Sequence, residues 1–534
     1  MPDAIPIPTS PAETCPAQPP VTDVYAIHGA DPEVLAYAMA KYSRSSLSMR
    51  ESLAEISSQR AEQFLNTFYF QYGHRSIADL AHIPFAIERL SLLAAIALVD
   101  EQRWDGQERS TRYQNFRRSG WFTPALGAET AAYTAAVESL FHSYDAVSAG
   151  MLEALKLAIP LPDPTSDRAM KPDAWERTLK ARAFDVARYL LPLATNTSLG
   201  QIVNARTLET QVSRLLTSEF AEIRTIAEQL RVAATGPAWN VQQPVMQQLC
   251  DEITALDPAL GAKAAETLLR PINTAPTLVK YAVPNPYLAE SRTLGAELVA
   301  ELMGTQAIDS TPIVDLLDGD EPLEVELATS LLYPHAHYGY RQLRSNVAAL
   351  PSARLTEIVA TMTRSRGRHD ELLRGFSSGH SLRFDILMDI GGFRDMHRHR
   401  KCTQLLQGFT DLHGYDEPIC PGQPTLAEAG LEQPYRAAMD AAFAAYRSLR
   451  DSGAPEAAQS SQYLLPLGTR CRAMFKMDLA EAVYISELRS GIAGHFSYRR
   501  VAWEMYLAVK RQHPALAPLF RIDDVWEPVD LLKR

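Results

Sequence analysis

The sequence predicts a helix-rich α+β protein assembled as a tandem of two related halves, and three observations carry that expectation. The pentapeptide Tyr-Leu-Leu-Pro-Leu stands at residues 189–193 and again at 463–467, followed by Ala-Thr and by Gly-Thr. Apolar residues recur at helical spacing through most of the chain. Short β-branched or aromatic runs near 82–88 and 382–390 have the length of strands in a small sheet.

In chain order, residues 1–22 are rich in proline and small residues and read as a disordered lead-in. Helices are expected over 32–42, 48–71, 129–158, 435–450 and 500–512. Leu208, Val212, Leu215, Leu216, Ile223, Ile226 and Leu230 form one further helical stripe, which Glu219 interrupts. The proline-spaced segment 246–285 reads as an ordered connection between a first repeat, 23–245, and a second, 286–525. Each repeat is expected to bury a face against the other. The repeated Leu-Pro-Leu reads as structural, closing one element ahead of the next helix.

The bulk properties narrow the function. A length of 534 residues suits two large domains or about three smaller ones. A net charge of −11 excludes a general nucleic-acid coat, while leaving room for a local basic pocket that holds a small phosphorylated ligand. Five scattered cysteines with no C-x-x-C pair give neither a disulfide framework nor a cysteine zinc site, and they fit a reducing cytoplasm. No secretory signal or membrane span is read.

The polar motifs fall into two sets. The first half carries Tyr72-Gly73-His74-Arg75-Ser76, Glu108-Arg109-Ser110-Thr111-Arg112-Tyr113, Ala187-Arg188-Tyr189-Leu190-Leu191-Pro192 and Asn204-Ala205-Arg206. The second carries Arg398-His399-Arg400-Lys401-Cys402-Thr403, Glu487-Leu488-Arg489 and His495-Phe496-Ser497-Tyr498-Arg499. Together, and in this order, they resemble the flavin-dependent thymidylate synthases, whose motifs include Gly-His-x-Ser, Arg-His-Arg-x-x-Ser, Ser-x-Arg-Tyr, Ala-Arg-x-x-Leu-Pro and Asn-Ala-Arg.

The resemblance implies the fold of that family taken twice. It also implies transfer of a one-carbon unit from methylenetetrahydrofolate to C5 of dUMP, with reduced FAD and with NADPH as the reductant. By similarity, Ser110, Arg112, Arg188 and Arg398 hold the nucleotide, and Arg489 and Arg214 stand at the position that ionises the uracil. Ser76, Asn204, Arg206, His399 and Arg400 match flavin contacts. Arginine suits these tasks, because its planar fork grips phosphate bidentately and stabilises charge developing on a ring carbonyl.

Neither half is complete. The first has Asp100-Glu101-Gln102 where the family has Arg-His-Arg, and the second lacks Ser-x-Arg-Tyr and has Gln462 in place of the phosphate arginine. The losses are complementary, so a composite site between the repeats is expected, in a homodimer that mimics the family's tetramer. The alternatives are C5 modification of another pyrimidine nucleotide and a non-catalytic paralogue. Asn204 also reads as a turn residue, His335 and His337 as a zinc-like spacing without a third ligand, and Cys402 as packing.

Overall fold

The computed structural model describes residues 27, 29–41, 48–55, 75–101, 103–116, 119–166, 169–279, 282–286, 288–290, 293, 312–317, 322–333, 340–364, 372–379, 381–528 and 530–532. Tyr72–His74, His335 and His337 lie outside these. Two small antiparallel sheets organise the described chain. One has the order β1 (His82–Ser91), β3 (Asn196–Asn204), β2 (Asp105–Glu108). The other has the order β4 (Val314–Leu317), β5 (Leu382–Asp389), β7 (Arg470–Met477), β6 (Thr403–Leu406). The expected runs near 82–88 and 382–390 are thus the edge strand β1 and the inner strand β5.

Each sheet hands its chain directly to helices through polar caps. Ser91 Oγ accepts the Ala94 amide to start the helix Leu92–Val99, and Asp389 Oδ1 accepts the Gly392 amide to start Ile390–His397. Asn204 Oδ1 accepts the Thr207 amide at the head of Ala205–Leu216, and Asp478 Oδ1 accepts the Glu481 amide at the head of Leu479–Ser490. A cap of this kind satisfies amides that the first helical turn leaves without partners. Asn204 has φ −78°, so it is a capping residue and not the left-handed turn residue its type allows.

Helices are found at Pro32–Lys41, Thr130–Ala158, Glu432–Arg450 and Phe496–Gln512, close to the expected spans. The 48–71 expectation is described only at Met49–Glu55. The long stripe is two helices, Ala205–Leu216 and Ala221–Thr235, because the chain turns at 217–220, where Glu219 breaks the pattern. The connection contains the helices Gln243–Leu256 and Pro258–Leu268. No described helix is long and apolar enough to cross a membrane.

The two copies of Tyr-Leu-Leu-Pro-Leu meet each other. Leu193 N donates to Leu465 O at 3.0 Å and Leu467 N to Leu191 O at 2.9 Å, around a bridge between Pro192 and Pro466. Ala194 N donates to Tyr463 O and Gly468 N to Tyr189 O, each at 2.9 Å. Each copy leads into a strand, β3 or β7, and not into the expected helix, because the segment is held in extended pairing. One continuous apolar core runs through both halves, from Leu92 and Leu190 to Phe393 and Leu464.

Candidate active site

The helix Ile390–His397 brings the second half's basic motif against the first half. Arg394 of this helix forms a buried ion pair with Glu108 of β2. At the helix end, Asp395 sits among guanidiniums from both halves. Its Oδ2 accepts Arg188 Nη1 at 3.1 Å, and its Oδ1 accepts Arg398 Nη2 at 3.1 Å. Burial works against the Asp395 charge, but Arg188 and then Arg398, Arg112 and Arg489 outweigh it and hold the carboxyl well below the usual carboxylate range.

Arg112 reaches this cluster already satisfied. Its Nε and Nη2 grip the two oxygens of Asp185 at 2.8 and 3.3 Å, and its Nη1 donates to Tyr498 OH at 2.8 Å. Its Nη2 also donates to the Ala493 carbonyl at 3.1 Å, and Ser110 Oγ accepts the Arg112 amide at 3.2 Å. Arg188 is different. It is 1% exposed and donates from Nη1 to Asp395 and, at 3.4 Å, to Thr111 Oγ1, while among the described residues its Nε and Nη2 have no hydrogen-bond partner. Buried donors left in this way cost on the order of 1–3 kcal/mol each unless a ligand or water takes them.

Arg489 completes the cluster. It stacks over the Tyr498 ring at 5.2 Å, and its Nε donates to His399 Nε2 at 2.7 Å. Burial, followed by Arg489, Arg398 and Arg400, pushes His399 down to about 3, so the ring is neutral. Its proton is then assigned to Nδ1, which faces Glu481 at 3.8 Å. A neutral acceptor leaves the charge of Arg489 uncompensated by the group it touches.

A cleft of about 690 Å³, with His399 in its lining, opens between the halves. Arg206, Arg214, His399 and Arg400 line it together with Asp100, Glu101 and Cys402. Arg214 donates to Glu101 Oε1 from Nη2 at 2.8 Å and from Nε at 3.0 Å. Burial raises the Glu101 carboxyl despite this partner. Burial likewise raises the Cys402 thiol to about 12, so it is a packed, unreactive sulfur.

The structure therefore gathers Arg112, Arg188, Arg398 and Arg489 into one cluster with Ser110 beside it. It gathers Arg206, Arg214, His399 and Arg400 into the neighbouring cleft. Arg214 and Arg489 stand apart, each with a partner from a different segment. Asn204 is held as a helix cap, and Ser76 lies in the short turn Arg75–Leu80, its side chain outside the described residues.

The model of the thymidylate synthase complementing protein family matches residues 26–235 and 348–515. The chain belongs to this family. A protein of Chlamydia pneumoniae carrying only the label UPF0159 is 26% identical over 96% of this chain and 93% of its own length. A UPF0159 protein of Thermoplasma acidophilum is 25% identical over 91% of this chain and 94% of its own. The flavin-dependent thymidylate synthase of Sulfolobus acidocaldarius is 31% identical, over 22% of this chain and 45% of its own length. The solved UMP/dUMP methylase PolB of Streptomyces cacaoi aligns with 40% of this chain and 96% of its own at 16% identity and a TM-score of 0.30.

Within this family member, sequence reasoning missed Asp395, Asp185 and Tyr498. Asp395 precedes Arg398 by three residues, a spacing that places the two side chains on one helix face. That was a signal in the sequence. Asp185 precedes Arg188 by the same three residues yet turns to Arg112, so spacing alone would have paired it wrongly.

Proposed function

We propose that the chain is a thymidylate synthase-like methyltransferase that binds a pyrimidine nucleotide, dUMP in the first instance, at the arginine cluster between its halves. One observation carries the reading: buried Arg188 keeps two unpartnered donors beside Arg398 and Arg489. A phosphate monoester supplies the acceptor oxygens that such a fork takes bidentately. In this reading Ser110, Arg112, Arg188 and Arg398 position the nucleotide. Arg489, fixed over Tyr498 by His399, stabilises negative charge developing on the uracil as C5 becomes nucleophilic. Arg112 acts by holding Tyr498 and Asp185 in place, since its own donors are used.

The same reading takes the chain as two synthase-like repeats, 23–245 and 286–525, joined by 246–285. The reciprocal hydrogen bonds between the two Leu-Pro-Leu segments and the matching caps at Asn204 and Asp478 support it. A homodimer, with methylenetetrahydrofolate as carbon donor and NADPH as reductant, follows from the resemblance, and the scattered cysteines fit a cytoplasmic setting.

FAD is the cofactor that resemblance implies, and it would supply the hydride. Arg206, His399 and Arg400 share the cleft where it would lie, but the donor set there does not fit a diphosphate. Among the described residues, each guanidinium lining the cleft already has a carboxylate partner. Arg206 pairs with Asp79 at 2.9 Å and Arg400 with Asp105 at 2.5 Å, as Arg214 does with Glu101. The proposed roles are therefore confined to the arginine cluster, and none runs through flavin.

The test is calorimetric titration of dUMP into the full chain and into Arg188→Ala and Arg398→Ala. The expected outcome is saturable binding, weakened roughly 10- to 100-fold in each variant, the range for one hydrogen bond to a charged group. Binding unchanged in both variants would sink the composite site.

A further inference from the structure

Asp395 takes a guanidinium from each half of the chain. Arg188 donates to its Oδ2 and Arg398 to its Oδ1, each at 3.1 Å. Arg112 and Arg489 attract the same carboxylate through their charge. It thus sits among four cations, surroundings that suit a phosphate equally well. The helix itself disfavours an acid there. Asp395 lies in the last turn of Ile390–His397, where the macrodipole opposes negative charge, so the guanidiniums are what hold it.

The exposures give the order in which a ligand meets these groups. The Arg188 side chain is 1% exposed, that of Asp395 16% and that of Arg398 29%. An anion arriving from solvent meets Arg398 and Asp395 before it reaches Arg188. The other nearby acids are placed differently. Both oxygens of Asp185 are engaged by Arg112, and Asp389 acts on Arg188 without a hydrogen bond to it.

We propose that Asp395 is an internal anion standing in the place of the ligand's phosphate, which has to yield Arg188 and Arg398 before a nucleotide binds. This role rests on the reading of the cluster as a nucleotide site and gives that site a specificity-determining residue. Binding is then an exchange of one anion for another, so the incoming group has to be the stronger acceptor. A terminal phosphate monoester qualifies, with a charge of about −1.5 to −2 and three acceptor oxygens at neutral pH. A carboxylate brings no more than Asp395 already supplies. The rival role for Asp395, a tether that orients the two arginines for the ligand, predicts the opposite sign when its charge is removed.

The experiment is calorimetric titration of inorganic phosphate, dUMP and deoxyuridine into the full chain, as wild type, Asp395→Asn and Asp395→Ser. Asn keeps the size and one acceptor oxygen, Ser leaves room for the incoming group, and melting temperatures report folding of each. Phosphate and dUMP are expected to bind about tenfold or more tightly in the variants, because a like charge beside the ligand is gone. Deoxyuridine, which lacks the phosphate, is expected to change less than about twofold. On wild type alone, phosphate is expected to raise the melting temperature more than acetate does at equal ionic strength.

Phosphate affinity unchanged or weakened in both variants overturns the stand-in role and makes Asp395 a tether. An equal gain for deoxyuridine, or equal shifts with phosphate and acetate on wild type, overturns it as well. The nucleotide reading fails separately: a gain for phosphate without any dUMP binding keeps the role of Asp395 and removes dUMP as the ligand.

Discussion

Arg214 and Arg489 are the last-turn arginines of two helices that each follow a strand and a capping side chain, yet they meet opposite partners. Arg214 donates twice to the Glu101 carboxylate, whereas Arg489 donates to the neutral imidazole of His399. The first arrangement neutralises the guanidinium inside the protein. The second leaves its charge available to a ligand. A single difference at the partner position, acid against imidazole, separates a guanidinium whose charge is matched at that contact from one whose charge is not.

The largest expected effect comes from breaking the pair that supports the reactive side. Asp185→Asn leaves Arg112 charged and buried with its main partner gone, which should cost about 3–5 kcal/mol. Urea unfolding monitored by circular dichroism measures the shift, and a change under about 1 kcal/mol would mean Tyr498 and the Ala493 carbonyl suffice. Next comes His399→Glu, which gives Arg489 the partner Arg214 already has. Affinity for dUMP should fall about tenfold or more, as the charge of Arg489 becomes internally matched.

A smaller effect follows from pH. His399 stands at about 3 in the folded chain against an ordinary value of 6.5, so between those values the unfolded chain binds the extra proton. Stability should therefore fall as pH drops through 6.5 towards 3, by at most ~1.4 kcal/mol per pH unit from this residue. Asp389 opposes it. Burial, and then Asp416, raises that carboxyl to about 6, so its own contribution grows as pH falls through 6. Thermal melts of wild type and His399→Gln across this range should diverge below pH 6.5, with the variant losing less. The smallest effect is Arg400→Ala, which removes an ion pair at the mouth of the cleft to the exposed Asp105 and should change stability by only about 0–1 kcal/mol.

Much of this arrangement was legible in the sequence, and the limits have physical causes. The strand positions near 82–88 and 382–390 followed from local residue types. So did the helices at 32–41 and 130–158. The strands 196–204 and 470–477 were not read, because Asn-Thr-Ser-Leu-Gly-Gln and Arg-Cys-Arg-Ala-Met-Phe alternate around polar and small residues that fit turns and helices equally well. The arginines of the cluster were found through their motifs. Their partners were not, since Asp185 reaches Arg112 across 73 residues and Tyr498 across 386, separations that no local pattern encodes. Charge matching in the cleft was half visible, in Asp100 and Glu101, and its partner became clear only in the fold, where Arg214 donates to Glu101.

The clasp between the two Leu-Pro-Leu segments has a consequence for how the chain is made. Residues 189–194 present amide and carbonyl groups whose partners lie some 270 positions later. At ribosomal speeds of roughly 5–20 residues per second, the first segment waits on the order of 15–55 s for its counterpart. During that interval a buried apolar stretch, Leu190 to Ala194, has an open edge of the kind other chains can pair with. Nascent-chain folding of this protein is thus a timing problem, and slowing translation of the second half should raise aggregation more than slowing the first.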